Sequence, residues 1–181
     1  MESSAWAWIR DYSYLCGFFG YARGVTPREV IQAANISGRE PFMTTRSEAM
    51  AMDADLYEGG LTLLRAGRIG DWTYFMTALS AKPSREPFMS EISRNGDALG
   101  FYWDSMQWFT YARNGSIELS CDPMFGVPIE APASALVRDL RSAVPGGSGL
   151  EEFFAVCSEH FEFSVDIEVI SASSPSVHID A

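Results

Sequence analysis

Hydrophobic and polar residues alternate through the middle of the chain and turn to helical spacing towards its ends. The clearest alternation runs from Gln107 to Cys121, where two strand-forming runs flank Asn114-Gly115. Asn-Gly is the favoured two-residue loop of a type I′ hairpin, because both central residues need positive φ. With that loop, Ala112 faces Ile117, Thr110 faces Leu119 and Trp108 faces Cys121, and period-two alternation places these six side chains on one apolar face. Phe109, Tyr111, Arg113, Ser116, Glu118 and Ser120 fall on the other, mixed face. Strands are also expected at Leu61–Arg65, Trp72–Leu79 and Leu99–Trp103, with a short one at Phe88–Ser93. Turns at Gly67–Asp71 and Asn95-Gly96 separate them, and Pro83 and Pro87 exclude a central strand between them. The pattern predicts an antiparallel meander of about five or six strands.

Helical spacing predicts the flanking elements. Trp8, Tyr12, Leu15 and Phe19 recur at one-turn steps, which predicts a helix over 5–22; Gly17 and Gly20 weaken its end and favour extended chain there. Thr26, Pro27 and Glu29 form a capping box with proline at the first helical position, opening a helix that ends near Asn35 and buries Val30, Ile31 and Ala34. Residues 37–60 read as loop with a helical turn around Ser47–Met52, closed by Gly59-Gly60. After Asp122-Pro123 comes a proline-punctuated loop, then a helix over Ala133–Val144 and a glycine-rich joint. The next helix, Leu150–His160, turns Leu150, Phe153, Phe154 and Cys157 inward and Glu151, Glu152 and Glu159 outward. Phe161–Ile170 alternates like a half-buried strand or docking segment, and the serine-rich Ser171–Ala181 is expected to be a disordered tail. The fold class is α+β: one domain over 1–170, its sheet packed by N-terminal and C-terminal helices, followed by the tail at 171–181.

Composition narrows the function. The 181 residues are 47% hydrophobic, enough for a substantial core. A net charge of −11 argues against phosphate-driven nucleic-acid binding and against adsorption to an anionic membrane. After Arg141 there is no Lys or Arg, while Glu151, Glu152, Glu159, Glu162, Asp166, Glu168 and Asp180 follow. Cys16, Cys121 and Cys157 are too few and too irregularly spaced for a disulfide framework and read as reduced, buried thiols. No apolar run is long enough to span a bilayer and no basic-then-apolar leader opens the chain, so the cytoplasm is the expected compartment.

Catalytic signatures are sparse. His160 and His178 are the two histidines; His160 suits a helix C-terminus, and His178 falls in the expected tail. Cys157 lies three residues before His160, yet the surrounding carboxylates would hold a thiol protonated. Neither C-x-x-C nor H-E-x-x-H occurs, and Asp53-Ala54-Asp55 lacks the rest of a calcium loop, so no metal or other cofactor is expected.

Asp11-Tyr12, then Arg23-Gly24-Val25-Thr26-Pro27-Arg28-Glu29-Val30, Gly70-Asp71-Trp72, Phe109-Thr110-Tyr111-Ala112-Arg113-Asn114-Gly115 and Asp122-Pro123 follow one another in an order that resembles a bacterial family of the domain-of-unknown-function type, common in multicellular soil bacteria. The resemblance spans roughly residues 10–165. The family has no assigned activity, so it implies no catalytic residue.

The acidity, the surplus of aromatics and the missing catalytic signature favour a non-enzymatic protein-binding domain, immunity-like, antitoxin-like or a defence accessory, that takes a basic protein partner. Its expected contact residues are Glu151, Glu152 and Glu159 on the last predicted helix and Phe109, Tyr111, Arg113 and Glu118 on the outer hairpin face. The alternative is a small enzyme or ligand-binding domain whose site is assembled from scattered carboxylates and aromatics, in a pocket holding Asp71, Asp104, Arg113 or Glu118.

Overall fold

The strands form one antiparallel sheet, and that sheet is wider than the local pattern predicts. The computed structural model describes residues 17–35, 37–77, 86–104, 106–146, 149–165 and 167–180. In chain order the elements are β1 (Gly17–Arg23), α1 (Pro27–Ala34), β2 (Phe42–Thr44), α2 (Arg46–Glu58), β3 (Leu61–Ile69), β4 (Trp72–Thr77), α3 (Glu86–Ile92), β5 (Asp97–Trp103), β6 (Gln107–Arg113) and β7 (Ser116–Cys121). A 3-10 turn (Pro123–Phe125), α4 (Ala135–Ala143), α5 (Leu150–Phe161), α6 (Ile167–Ser171) and β8 (Ser174–Asp180) follow. The strands lie in the order β2-β8-β3-β4-β1-β5-β6-β7. The α+β class holds, with eight strands in place of five or six.

Helices cover both faces, so adjacent residues of one strand can both be buried. On one face Phe19, Tyr21, Trp72, Phe101, Phe109 and Tyr111 meet Leu136, Phe153, Phe154 and Cys157 from α4 and α5. On the other, Phe18, Ala22, Leu64, Phe75 and Ala98 meet Val30 and Ile31 of α1 and Met89 and Ile92 of α3. Phe18-Phe19 therefore serves two cores from consecutive positions.

Local signals hold where the interactions are local. The capping box forms as expected: the Glu29 amide donates to Thr26 Oγ1, and the Thr26 amide donates to Glu29 Oε2. Asn114 and Gly115 both adopt positive φ, 49° and 81°, at the hairpin tip.

Several expectations are corrected. The helix over 5–22 gives way to strand from Gly17, residues 1–16 lying outside the description. The loop over 37–60 contains β2 and the thirteen-residue α2. Phe88–Ser93 is helical in α3, where Met89 and Ile92 supply the buried face. The strand at Phe161–Ile170 is instead the end of α5, an irregular segment and α6. The largest correction is the tail. β8 pairs with both β2 and β3, and its buried serines find partners in the sheet: Thr44 Oγ1 lies 2.6 Å from Ser176 Oγ, which donates to the Ser174 carbonyl.

The hairpin register also changes. Ala112 pairs with Ile117, then a bulge shifts Tyr111 onto Leu119 and Phe109 onto Cys121, so Glu118 is the residue passed over. Phe109, Tyr111, Leu119 and Cys121 consequently share the α5 core, while Ala112 and Ile117 pack on the opposite side. Without the bulge, Leu119 and Cys121 would share the face of Ala112 and Ile117 instead of that of Phe109 and Tyr111.

Candidate functional site

The C-terminal end of β6 meets the ends of its neighbours in a polar hollow. Asp97 opens β5 and pairs across the ladder with Arg113, the last residue of β6. Arg23 closes β1, one step beyond the Ala22–Ala98 pair, and so sits beside Asp97. Two glycines permit this approach. A Cβ at Gly96 would lie 2.4 Å from the Arg23 carbonyl oxygen, and one at Gly24, where φ is +80°, would lie 2.5 Å from that of Asn95. Thr73 holds the same turn, its hydroxyl donating to the Val25 carbonyl at 2.6 Å. The hairpin tip is fixed in turn: the Asn114 amide donates to the Gly96 carbonyl, and Gly115 to that of Ser93.

Helices α4 and α5 close the hollow from above. Its volume is about 320 Å³, and Arg23, Asp97, Tyr111, Arg113, Leu136, His160, Phe161 and Glu162 contribute to its walls. Asp97 is the deep charge, its side chain only 7% exposed. Arg23 Nη2 donates to its Oδ2 at 2.8 Å, and the Tyr111 hydroxyl donates to its Oδ1 at 2.9 Å. Arg113 Nε stands 3.7 Å from Oδ1, an ion-pair distance too long for a hydrogen bond. The Arg23 guanidinium also lies over Trp72 and Phe161, at 5.2 and 5.9 Å from the ring centroids, which fixes it in place. On the helical wall, His160 Nδ1 is 2.5 Å from Asp139 Oδ2, tying α5 to α4.

Protonation narrows the chemistry. Burial pushes the Tyr111 phenol well above its ordinary value, and the Asp97 carboxylate beside it pushes it further, so Tyr111 is a fixed proton donor to Asp97. Burial raises the Cys157 thiol well above its ordinary range and pushes Cys121 up to about 12, where the neighbouring Asp122 adds to the effect. Neither is a thiolate nucleophile at neutral pH. Cys157 packs in the aromatic core while His160 binds Asp139, so they form no catalytic pair. Burial, and then the neighbouring Cys121, keep that thiol protonated, in place of the expected effect of carboxylates. Among the described residues no cluster of three or more His, Cys, Asp or Glu could hold a metal ion.

A second concavity of about 640 Å³ lies on the other face, between α1, α3 and the end of β8. Its charged groups are committed: Arg39 to Asp180 at 3.1 Å and to the His178 carbonyl, Glu91 to Arg94 at 2.6 Å, and Glu29 to the α1 cap. Its floor is apolar, with Phe88, Ala33, Ala34 and Ile179.

The expected site residues separate in space. Tyr111 and Arg113 enter the hollow. Phe109 is buried in the α5 core and cannot be a surface contact. Glu118 is the bulge residue and lies close enough to Tyr111 to raise its phenol. Glu151 and Glu152 occupy the first turn of α5, where they complement the helix dipole, and Gln107 Oε1 caps that turn by accepting from the Leu150 amide at 2.8 Å. Glu159 is exposed nearer the helix end. Asp104 lies in the β5–β6 turn at the far end of that ladder, and Asp71 in the β3–β4 turn outside the hollow. Sequence reasoning missed Arg23, Asp97, Asp139 and the part His160 plays. Asp97 and Arg113 pair across a single hairpin, β5–β6, whereas the meeting of Arg23 with Asp97 had no local signal.

Compared with protein-family models, curated proteins and solved structures, the chain gives no significant match. No helix among the described residues is long and apolar enough to cross a membrane.

Proposed function

We propose that the protein is a small-ligand-binding domain and that the hollow at the Arg23–Asp97–Arg113 end of the sheet is its site. The observation carrying this reading is the convergence of polar groups from β1, β5, β6 and α5 on one concavity, above a buried carboxylate that is already hydrogen-bonded. Concave sites with a few convergent polar groups are the usual form of small-molecule recognition. Arg23, Tyr111 and Asp97 are fixed by mutual hydrogen bonds and His160 by Asp139, so this part of the wall is pre-formed, which lowers the ordering cost of binding.

A mixed-charge library of small molecules, screened by backbone amide shifts, tests the reading. Saturable shifts confined to residues around the hollow support it. Ala135→Trp, an exposed position on the hollow's edge, should suppress those shifts while leaving the melting temperature within about 2 °C, as expected of a surface substitution. Hits that ignore Ala135→Trp would place binding elsewhere.

A second reading, docking of a basic protein partner, is favoured by the loop after β7. Phe125 is 86% and Ile129 94% exposed. The loop is nonetheless pinned, because Arg141 Nη2 donates to the carbonyls of Pro128, Ile129 and Ala131. Rigid exposed apolar groups suit an interface hot spot. On this reading, neutralising Glu151, Glu152 and Glu159 slows association with a basic partner and flattens its salt dependence; unchanged rates would remove it.

A further inference from the structure

Donor counting gives the hollow a ligand chemistry. Resting on the ligand-binding reading above, we infer that the hollow takes the oxyanion of a small molecule, a carboxylate or phosphate group, on the guanidinium of Arg113, with Arg23 as a fixed second cation.

Two guanidiniums share one buried carboxylate. Asp97 receives a hydrogen bond on each oxygen, from Arg23 and from Tyr111. Arg113 stands 3.7 Å away and makes no side-chain hydrogen bond, so its five N–H donors face the hollow or solvent. Arg23 cancels the charge of Asp97, and the charge of Arg113 is left over. A guanidinium with its donor fork unused is built for bidentate capture of a carboxylate or phosphate.

The neighbouring carboxylates set the selectivity. Asp139 is engaged by His160. Glu118 lies near Tyr111, and Glu162, exposed at the left-handed C-cap of α5, lines the hollow. Glu162 is in no ion pair or side-chain hydrogen bond, and it faces the same space as Arg113. A ligand with one oxyanion and a separate hydrogen-bond donor satisfies both, whereas a bare multivalent anion is repelled by Glu162. The second concavity offers no such pattern, because Arg39 is already spent on Asp180 and a backbone carbonyl.

The test uses the full chain labelled with 15N at arginine, titrated at constant ionic strength with inorganic phosphate, acetate or chloride as separate probes. The Nε–H resonance of Arg113 should shift saturably with phosphate or acetate and not with chloride. Whichever of the two binds more tightly identifies the oxyanion class. Arg113→Gln should weaken that binding about tenfold or more, the loss expected for a charge-assisted bidentate contact. Glu162→Gln should tighten phosphate binding about two- to threefold by removing an exposed like charge. If neither oxyanion moves Arg113 while a neutral or cationic library compound still binds the hollow, the oxyanion inference is overturned and the ligand-binding reading stands. If no compound of any charge moves the residues of the hollow, both fail.

Discussion

Arg65 and Arg113 both project from strands onto the α5 side of the sheet, and they illustrate two uses of the same side chain. Arg65, on β3, is 2% exposed. Its Nη2 donates to the carbonyls of Thr44, Ile170 and Ala172 and to Ser174 Oγ, at 2.8 to 3.3 Å, stitching together β2, α6 and the entry to β8. Arg113, at the end of β6, has a side chain 55% exposed and makes no side-chain hydrogen bond. A buried guanidinium has no water to turn to and needs acceptors from the protein, because burying unpaired donors costs several kcal/mol, and at Arg65 those acceptors gather on Nη2. A guanidinium at the mouth of a hollow can leave its donors to water, and so remains available to a ligand. The difference separates a structural cation from a recognition cation more sharply than residue type or charge.

The largest effect expected from breaking that contrast is at Arg65. Arg65→Met strands several buried carbonyls and should cost about 3 kcal/mol or more, read as a lower urea midpoint. A loss as small as that of a surface substitution would show that the arginine does not organise β8. Asp97→Asn comes next. It keeps the shape but removes the charge that Arg23 and Tyr111 address, and a loss of about 2 kcal/mol is expected, moderated because Arg23 is half exposed.

Thr26→Ala is an intermediate case, a surface site whose polar atoms are committed. Losing the N-cap should cost about 1 kcal/mol. Hydrogen bonds from the Thr26 side chain and then its backbone hold the Glu29 carboxyl below its ordinary value. A lowered folded value means that the Glu29 contribution is present above the ordinary carboxylate range and is lost as pH falls through the lowered value. The difference in Tm between wild type and Thr26→Ala should therefore narrow on acidification, and a constant difference would count against the carboxylate's share. The smallest stability effect belongs to Arg113→Gln, within about 0.5 kcal/mol. That variant should leave Tm nearly unchanged while weakening oxyanion binding about tenfold or more; destabilisation approaching that of Arg65→Met would make Arg113 structural as well.

How much was legible follows from the reach of each interaction. The capping box at Thr26-Pro27-Glu29 and the Asn114-Gly115 tip are closed by atoms a few residues apart, and both formed as read. The hairpin was misread because the bulge at Glu118 moves Leu119 and Cys121 onto the face of Phe109 and Tyr111, and because α5 covers that face, and neither is marked in the local pattern. The serine-rich end was misread as a tail because its polar residues look solvated. In the sheet, Ser176 is buried because Thr44, far away in the chain, supplies its partner. At the site, the strand residues Tyr111 and Arg113 were singled out, whereas Arg23 and Asp97, 74 positions apart, were not paired.

The amino-acid sequence by itself determined the α+β class, the capped helix, the hairpin tip, the acidic character and the absence of any recognised metal or nucleophile motif, because each depends on composition or on neighbours along the chain. Only the tertiary structure decided the width of the sheet, the insertion of β8 between β2 and β3, and which hairpin face meets α5. It also decided that Arg23, Asp97 and Arg113 share one hollow. These depend on strand pairings whose partners are distant in the chain, and burial and hydrogen-bond satisfaction in the whole fold select among such pairings where local periodicity cannot.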